Sequence, residues 1–121
     1  LARERADQAE RQFRLLFDRN PAPFWVFDPD TLRFLEVNQA AISQYGYTRE
    51  EFLAMSILDI RPREGWDEIR GAIAEARVGE SQDAKIRLHQ RKDGTLFEVR
   101  AHLSRLDFDG RAACLVLAED V

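Results

Sequence analysis

The sequence predicts an α+β fold, in which one antiparallel sheet of five strands has helices on one face and follows an N-terminal amphipathic helix. The first observation is the order of the elements, which reads helix, two strands, a run of helices and three strands. The second is a pair of Asp-Gly turn signals at 93–94 and 109–110, which favour hairpins between the last three strands. The third is that the strands at 24–27 and 112–118 are apolar on both sides, so each face of the sheet needs a cover.

Length, composition and charge limit the class of protein. The 121 residues suffice for one hydrophobic core, and 45% hydrophobic with 33% charged residues is an ordinary globular composition. The net charge of −4 gives no general attraction to nucleic acid or anionic membranes. No apolar run reaches the ~18 residues of a spanning helix, and a single cysteine excludes an internal disulfide. We therefore expect a cytoplasmic piece of a longer protein, without nucleic-acid or membrane contact.

Residues 1–20 are predicted to form a helix, which we separate from a domain at 21–121. Its apolar side chains recur at alternating steps of four and three, as in a heptad seam. These side chains are Ala2, Ala6, Ala9, Phe13 and Leu16. Two compatible interpretations stay open. The helix packs on its own domain, or it is the end of a parallel coiled coil that enters from upstream.

Prolines end this helix, because Pro21 and Pro23 disfavour helical geometry in the residues before them. A first strand follows at 24–27. The Pro-Asp pair at 29–30 is typical of a turn, and it leads to a second strand at 33–37.

Two short helices come next, each with its own start signal. Asn38 is suited to cap a helix that ends at Gly46. Thr48 and Glu51 have the spacing of a capping box for a second helix. A short, proline-stopped segment at 56–62 follows.

The second half of the chain holds one longer helix and three strands. The helix at 64–78 has apolar side chains at steps of three and four, which predicts one buried face. That face consists of Trp66, Ile69, Ile73 and Ala76. The strands are predicted at 83–91, 95–106 and 111–118.

The two strands that are apolar on both sides need a second cover. Their outward side chains are Phe24, Val26, Leu115 and Leu117. These would form an exposed patch unless something lies over them. The N-terminal helix is the available cover, through Phe13, Leu16 and Phe17. Burying each such side chain gains ~1.5–3 kcal/mol, so we predict that this helix, from its own or a partner chain, lies across the outer face.

Three stretches of the chain together resemble a known family. They read FWVFDPDTLRFLEVNQAAISQYGYTREEFLAMSILDIRP, HQRKDGTLFEVRAHL and LVLAEDV. In this order they resemble the PAS family, the sensory box of bacterial signalling proteins. The resemblance covers residues 23–121, and it points to the PAS domains of sensor histidine kinases and hybrid kinases. In the family, an acid at the position of Asp120 belongs to a motif that starts the outgoing signalling helix. The resemblance therefore implies a covalently linked output domain, with Asp120 at the signal exit.

The resemblance also implies a cavity between the helices and the inner face of the sheet. By register with the family, the sheet contributes Trp25, Phe27, Val99, Ala101, Leu103, Cys114, Val116 and Ala118. The helical side contributes Tyr45, Phe52, Ile57, Ile69 and Ile73. Such a cavity would prefer a small apolar or aromatic ligand, oriented by polar groups such as Tyr45 or His89. A core that these aromatic side chains simply fill is the other interpretation.

The register of the third strand has two solutions. Alternation of side chains places Ile86 and Leu88 inside, whereas alignment on the Asp-Gly turn at 93–94 places Arg87 and His89 there. We favour alternation, because an unpaired arginine inside the core would be costly.

The residues used by cofactor-binding members of the family are missing. Flavin-binding light sensors have a reactive cysteine preceded by asparagine where this chain has Ser56 and Ile57, and an amide where it has Val99. Haem-binding members use a histidine on the long helix, which has none here. The cofactor stays unknown, and the sequence argues against a flavin adduct and against haem.

The remaining reactive side chains support neither catalysis nor a metal site. His102 falls on the polar side of its strand, and His89 is either a strand-surface residue or a hydrogen-bonding group of the cavity. Two isolated histidines do not make a metal site. Cys114 lies in an apolar run, which is typical of a small buried hydrophobe.

Three functional hypotheses follow. The first is a sensor or relay module of a bacterial signal-transduction protein, which binds a small ligand, forms a homodimer, or both, and passes a signal to its output domain. The second is a ligand-free dimerisation module with a filled core. The third is a small enzyme with an acid in a hydrophobic pocket. Its strand candidates, Glu36 and Glu98, both fall on the outer side.

Overall fold

The computed structural model describes residues 2–79, 85–108 and 110–121. Within these ranges the helices are α1 (Ala2–Arg19), α2 (Gln39–Tyr45), α3 (Arg49–Leu53) and α4 (Trp66–Glu75). Two 3-10 turns precede α4, at Ile57–Ile60 and Arg63–Gly65. The strands are β1 (Phe24–Phe27), β2 (Phe34–Val37), β3 (Lys85–Gln90), β4 (Leu96–Phe108) and β5 (Arg111–Asp120).

The five strands form one sheet in the order β2-β1-β5-β4-β3, with every neighbouring pair antiparallel. The predicted fold class is therefore confirmed. The two strands that are apolar on both sides, β1 and β5, are neighbours in the middle of the sheet. Central strands have no solvent edge, and a cover on each face explains why neither strand alternates.

The inner face of the sheet packs against the short helices and α4. Its core is rich in aromatic side chains that meet edge to face. Trp25 lies 5.6 Å from Tyr45 and 6.1 Å from Phe34 between ring centroids, and Phe34 lies 5.0 Å from Phe52. Ile69 of α4 belongs to the same buried cluster. The dense packing leaves room only for a small cavity.

Helix α1 lies over the outer face of the same chain. The ring of Phe17 lies 5.9 Å from that of Phe24 on β1, and the ring of Phe13 lies 6.1 Å from that of Phe108 on β4. Arg14 pairs with Glu36 of β2, with 3.2 Å between Nη1 and Oε2. Under this cover Val26 is only 1% exposed.

Asn38 joins α1 to the rest of the domain. Its Oδ1 accepts from the backbone N–H of Phe24 at 2.9 Å and from that of Ala41 at 3.1 Å, which caps α2. Its Nδ2 donates to the carbonyl of Phe17 at 2.8 Å and to that of Ala22 at 3.0 Å. The side chain is fully buried, and its bonds to Phe17 and Ala41 are buried with it.

Several boundaries differ from the sequence prediction. Helix α4 ends at Glu75 instead of residue 78, because Ala76 is extended and Val78 bridges to Arg105. Strands β4 and β5 each run two residues further than predicted, since their pairing continues to Phe108 at one end and to Asp120 at the other. The predicted strand residues 83–84, and the first residue of the turn at 109–110, lie outside the described residues.

Two predictions about side-chain direction were wrong. Leu16, expected to dock on the outer face, is 72% exposed, because α1 turns Phe13 and Phe17 toward the sheet. On β3, Ile86 and Leu88 point outward and are 42% and 44% exposed, while Arg87 and His89 face inward. The expected cost of burying arginine is offset because Arg87 pairs with Glu68 of α4, with 2.6 Å between Nη1 and Oε1.

Candidate functional site

A small enclosed cavity lies between the inner face of the sheet and the helical layer. Its volume is about 20 Å³. A single water needs roughly 10–15 Å³ by this measure, so the cavity holds one water molecule or a few atoms. Its lining consists of Trp25, Phe27, Ile57, Arg61, Ile69, Arg87, His89, Ala101, Leu103 and Val116.

Tyr45 and His89 form a buried polar pair beside the cavity. Tyr45 is the last residue of α2, and its carbonyl accepts from the N–H of Lys92 at 2.9 Å. This contact ties α2 to the turn after β3 and brings the Tyr45 hydroxyl to 2.6 Å from His89 Nδ1. Burial raises the pKa of Tyr45, so the hydroxyl keeps its proton and can donate it to Nδ1. In that tautomer His89 Nε2 carries a hydrogen, and Nε2 has no hydrogen-bond partner among the described residues.

Arg61 lines the cavity from the extended segment that follows the first 3-10 turn. Pro62 restricts Arg61 to an extended backbone, with φ −148° and ψ 154°. Its Nε donates to the carbonyl of Ile57 at 2.9 Å, and the residue is 7% exposed. Burial, together with the neighbouring Arg87, lowers the pKa of Arg61 to about 10. Arg61 is therefore a desolvated cation that is still charged at neutral pH.

Aliphatic and aromatic side chains thus form most of the cavity wall, and two cations line it, Arg61 from the helical side and Arg87 from β3. The sequence prediction missed Arg61 and rejected Arg87, although alignment on the Asp-Gly turn at 93–94 had placed Arg87 and His89 inside. The proline after Arg61 was the available local signal for its extended backbone. Nothing local indicated that its guanidinium group would be buried.

The surroundings of His89 favour its neutral form. Burial, and then the guanidinium groups of Arg61 and Arg87, lower the pKa of His89 well below 6.5. Tyr45 and Trp25, which also pack against the imidazole, are uncharged. The imidazole therefore contributes hydrogen bonds to the site without adding a third positive charge at neutral pH.

This environment makes stability dependent on pH. As pH falls below 6.5, the unfolded chain binds a proton on His89 before the folded chain does, so the free energy of unfolding decreases by at most ~1.4 kcal/mol per pH unit. We expect His89→Gln to flatten this dependence in urea denaturation between pH 7.5 and 5.5. His102→Gln, at a half-exposed position on the outer face, is the matched control and should keep it. An equally steep decline in both variants would contradict the assignment to His89.

The cavity brings together only part of the predicted ligand pocket. Eight predicted residues line it: Trp25, Phe27, Ile57, Ile69, His89, Ala101, Leu103 and Val116. The other six are buried in the surrounding core: Tyr45, Phe52, Ile73, Val99, Cys114 and Ala118. Burial raises the pKa of the Cys114 thiol to about 11, which suits an unreactive core side chain.

The residues predicted for docking and for signal exit lie on the outer side and at the end of β5. Phe24, Leu115 and Leu117 are half-buried, and Phe24 contacts Phe17 of α1. Asp120 is exposed and is the last residue of β5, opposite Val99 on β4.

The carboxylates proposed for an enzyme are not placed for acid catalysis. Glu98 is exposed. Glu36 is buried, but Arg49 binds both of its carboxylate oxygens, at 2.7 and 3.1 Å, and Arg14 contributes a further bond.

Within the described ranges, no three His, Cys, Asp or Glu side chains come close enough to hold a metal ion. None of the described helices combines the length and apolar composition needed to cross a lipid bilayer.

Comparison with known proteins identifies the family. The PAS fold family matches residues 11–121. The chain is 25% identical, over 94% of its length, to the methyl sulfide methyltransferase-associated sensor of Methanosarcina acetivorans, of which it spans 11%.

Two solved structures share the architecture. The PAS domain of an HTR-like protein from Haloarcula marismortui has a TM-score of 0.85 and 25% identity, over 99% of this chain and 98% of that one. A domain of a sensory box sensor histidine kinase/response regulator from Geobacter sulfurreducens has a TM-score of 0.76 and 27% identity, over 93% and 94%. The chain therefore belongs to the PAS family, whose members are sensory modules of signalling proteins.

Proposed function

We propose that this domain relays a signal inside a cytoplasmic signal-transduction protein, by coupling the cavity on one face of its sheet to helix α1 on the other. The parent protein would be a sensor histidine kinase or a related protein, with an output domain after Asp120. The domain itself would act without catalysis. It would work as a homodimer whose α1 helices, together with the outer faces of the sheets, form the contact between subunits.

The position of β1 is the observation that carries this proposal. Trp25 and Phe27 line the cavity from β1, while Phe24 on the same strand contacts α1. Asn38 binds the carbonyl of Phe17 in α1 and the N–H of Phe24 in β1. A ligand that shifts β1 by a few tenths of an ångström therefore acts on α1 through packed side chains and two hydrogen bonds. Such a shift changes the relative population of two helix packings.

The outer side also offers apolar surface for a second subunit. Leu16 on α1 and Ile86 and Leu88 on β3 are large apolar side chains that are all more than 40% exposed on the single chain. Exposed apolar groups on one side of a small domain are typical of an interaction surface.

A second candidate function is a dimerisation module without a ligand. The small volume of the cavity, about 20 Å³, favours it. Pockets for drug-sized ligands occupy roughly 300–1,000 Å³, so a small apolar or aromatic metabolite would need the core to open.

The relay proposal is tested by the oligomeric state of two matched variants. Leu16→Asp and Leu15→Asp each place a charge at an exposed position of α1, on different sides of the helix. We expect the wild type and Leu15→Asp to be dimers and Leu16→Asp to be a monomer with an unchanged melting temperature, as measured by multi-angle light scattering. A monomeric wild type at about 100 μM would contradict the proposal, since a stable interface of standard size binds well below that concentration. Two dimeric variants would place the interface elsewhere, whereas two monomeric variants would extend it to Leu15.

A further inference from the structure

The buried cavity has an excess of hydrogen-bond donors and positive charge. Two guanidinium groups, Arg61 and Arg87, line it. The only carboxylate that pairs with either of them among the described residues is Glu68, which binds Arg87. Arg61 donates from Nε to a backbone carbonyl and forms no ion pair in this part of the chain. Burying a cation without an anion is costly, and none of the described residues that line the cavity is acidic.

Two residues of the cavity lining also carry polar atoms that lack partners. Trp25 Nε1 and His89 Nε2 are fully buried and have no hydrogen-bond partner among the described residues. Both side chains are 1% exposed, and both line the cavity. The indole N–H can only donate. Because the Tyr45 hydroxyl can donate to His89 Nδ1, His89 Nε2 is free to act as a second neutral donor. Buried donors of this kind are nearly always satisfied in folded proteins.

We propose that this cavity binds a small monovalent anion, of chloride to nitrate size, held by Arg61 and Arg87 and by the N–H groups of Trp25 and His89. An anion would supply an acceptor for the two N–H groups that lack one and the negative charge that Arg61 lacks. The cavity volume of about 20 Å³ matches one to a few atoms, which excludes larger dicarboxylates and phosphate esters. The proposal deepens the relay function and rests on it, because it names the ligand class for the site that β1 connects to α1.

The first experiment uses the wild-type protein, dialysed into sodium gluconate, whose anion is too large for the cavity. Sodium chloride or sodium nitrate is then exchanged for gluconate at constant ionic strength. We expect a saturable shift of the Trp25 indole N–H resonance and a rise in melting temperature, since a ligand of the folded state stabilises it. Trp66→Phe assigns the indole resonance. A linear shift without saturation, or the same response to gluconate, would overturn the proposal.

A pair of arginine variants tests the site itself. Arg61→Gln is expected to weaken chloride or nitrate binding at least ~10-fold, because a hydrogen bond to a charged group is lost. In gluconate the same variant should melt at or above the wild-type temperature, because an unpaired buried charge is removed. Arg77→Gln, at an exposed position, should leave both properties unchanged. Equal anion dependence in the two variants would overturn the proposal. If Arg61→Gln does not fold, the titration of the wild-type indole N–H resonance still tests whether the cavity binds an anion.

The two proposals can fail separately. A dimer that depends on Leu16, in a protein that shows no saturable anion binding, would overturn the anion proposal and support the relay proposal. Saturable anion binding by a protein that stays monomeric would support the anion site and overturn the dimeric relay.

Discussion

Replacing Asn38 with alanine is expected to lower the free energy of unfolding by about 3–5 kcal/mol, as measured by urea denaturation. The estimate combines the loss of a helix N-cap, about 1 kcal/mol, with three partners left unsatisfied at about 1 kcal/mol each, the low end of the usual range because two of the three bonds are only partly buried. Those partners are the N–H of Phe24 and the carbonyls of Phe17 and Ala22. Since small domains have only about 5–15 kcal/mol of stability, the variant should be close to unfolding.

Asn38→Asp separates the two roles of this side chain. The aspartate keeps an oxygen to cap α2 and to accept from the N–H of Phe24, but it cannot donate to the carbonyls of Phe17 and Ala22. We therefore expect amide hydrogen exchange to accelerate in α1 while α2 stays protected. An alanine variant that loses less than about 1 kcal/mol would show that Asn38 acts only as a cap.

Replacing Phe52 with alanine is expected to lower the free energy of unfolding by about 3–5 kcal/mol, the usual range for removing a buried phenylalanine. Phe52 is fully buried on α3. Its ring centroid lies 5.0 Å from that of Phe34, 5.5 Å from Tyr47 and 6.3 Å from Tyr45. These rings pack edge to face and cannot all move inward, so a void remains where the side chain was.

The void offers an independent measurement. Empty apolar cavities bind benzene, so benzene should raise the melting temperature of Phe52→Ala and leave that of the wild type unchanged. Phe13→Ala removes the same side chain at a position that is 40% exposed and should cost less than half as much. Equal losses at the two positions would contradict the inference that packing around Phe52 dominates.

Local signals in the sequence predicted most of the fold correctly. Asn38 caps α2, and Thr48 with Glu51 forms the capping box of α3, as their spacing predicted. Gly46, with φ +87°, ends α2 as a glycine in the left-handed region does. Each of these features depends on side chains within four residues of one another, so the sequence contains the information directly.

Contacts between residues far apart in the chain determine the register of β3 and the rotation of α1, which local patterns did not predict. Alternation on β3 favoured the register with Ile86 and Leu88 inside. The structure has the other register, in which Glu68 of α4 pairs with Arg87 and Tyr45 of α2 binds His89. The heptad pattern of α1 shows which residues share a face of the helix, but not how the helix is rotated on the sheet. Phe13 and Phe17 face the sheet, while Leu16 points to solvent.

The pairing of β1 with β5 has a mechanical consequence. Phe24 lies opposite Leu117, and Phe27 lies opposite Cys114, so the chain enters β1 and leaves β5 at the same end of one ladder. Tension applied between these two points loads the hydrogen bonds one pair at a time, as in opening a zipper, instead of shearing them together. A pull along the flanking segments therefore peels β1 from β5 at low force, while the β4–β5 ladder still holds.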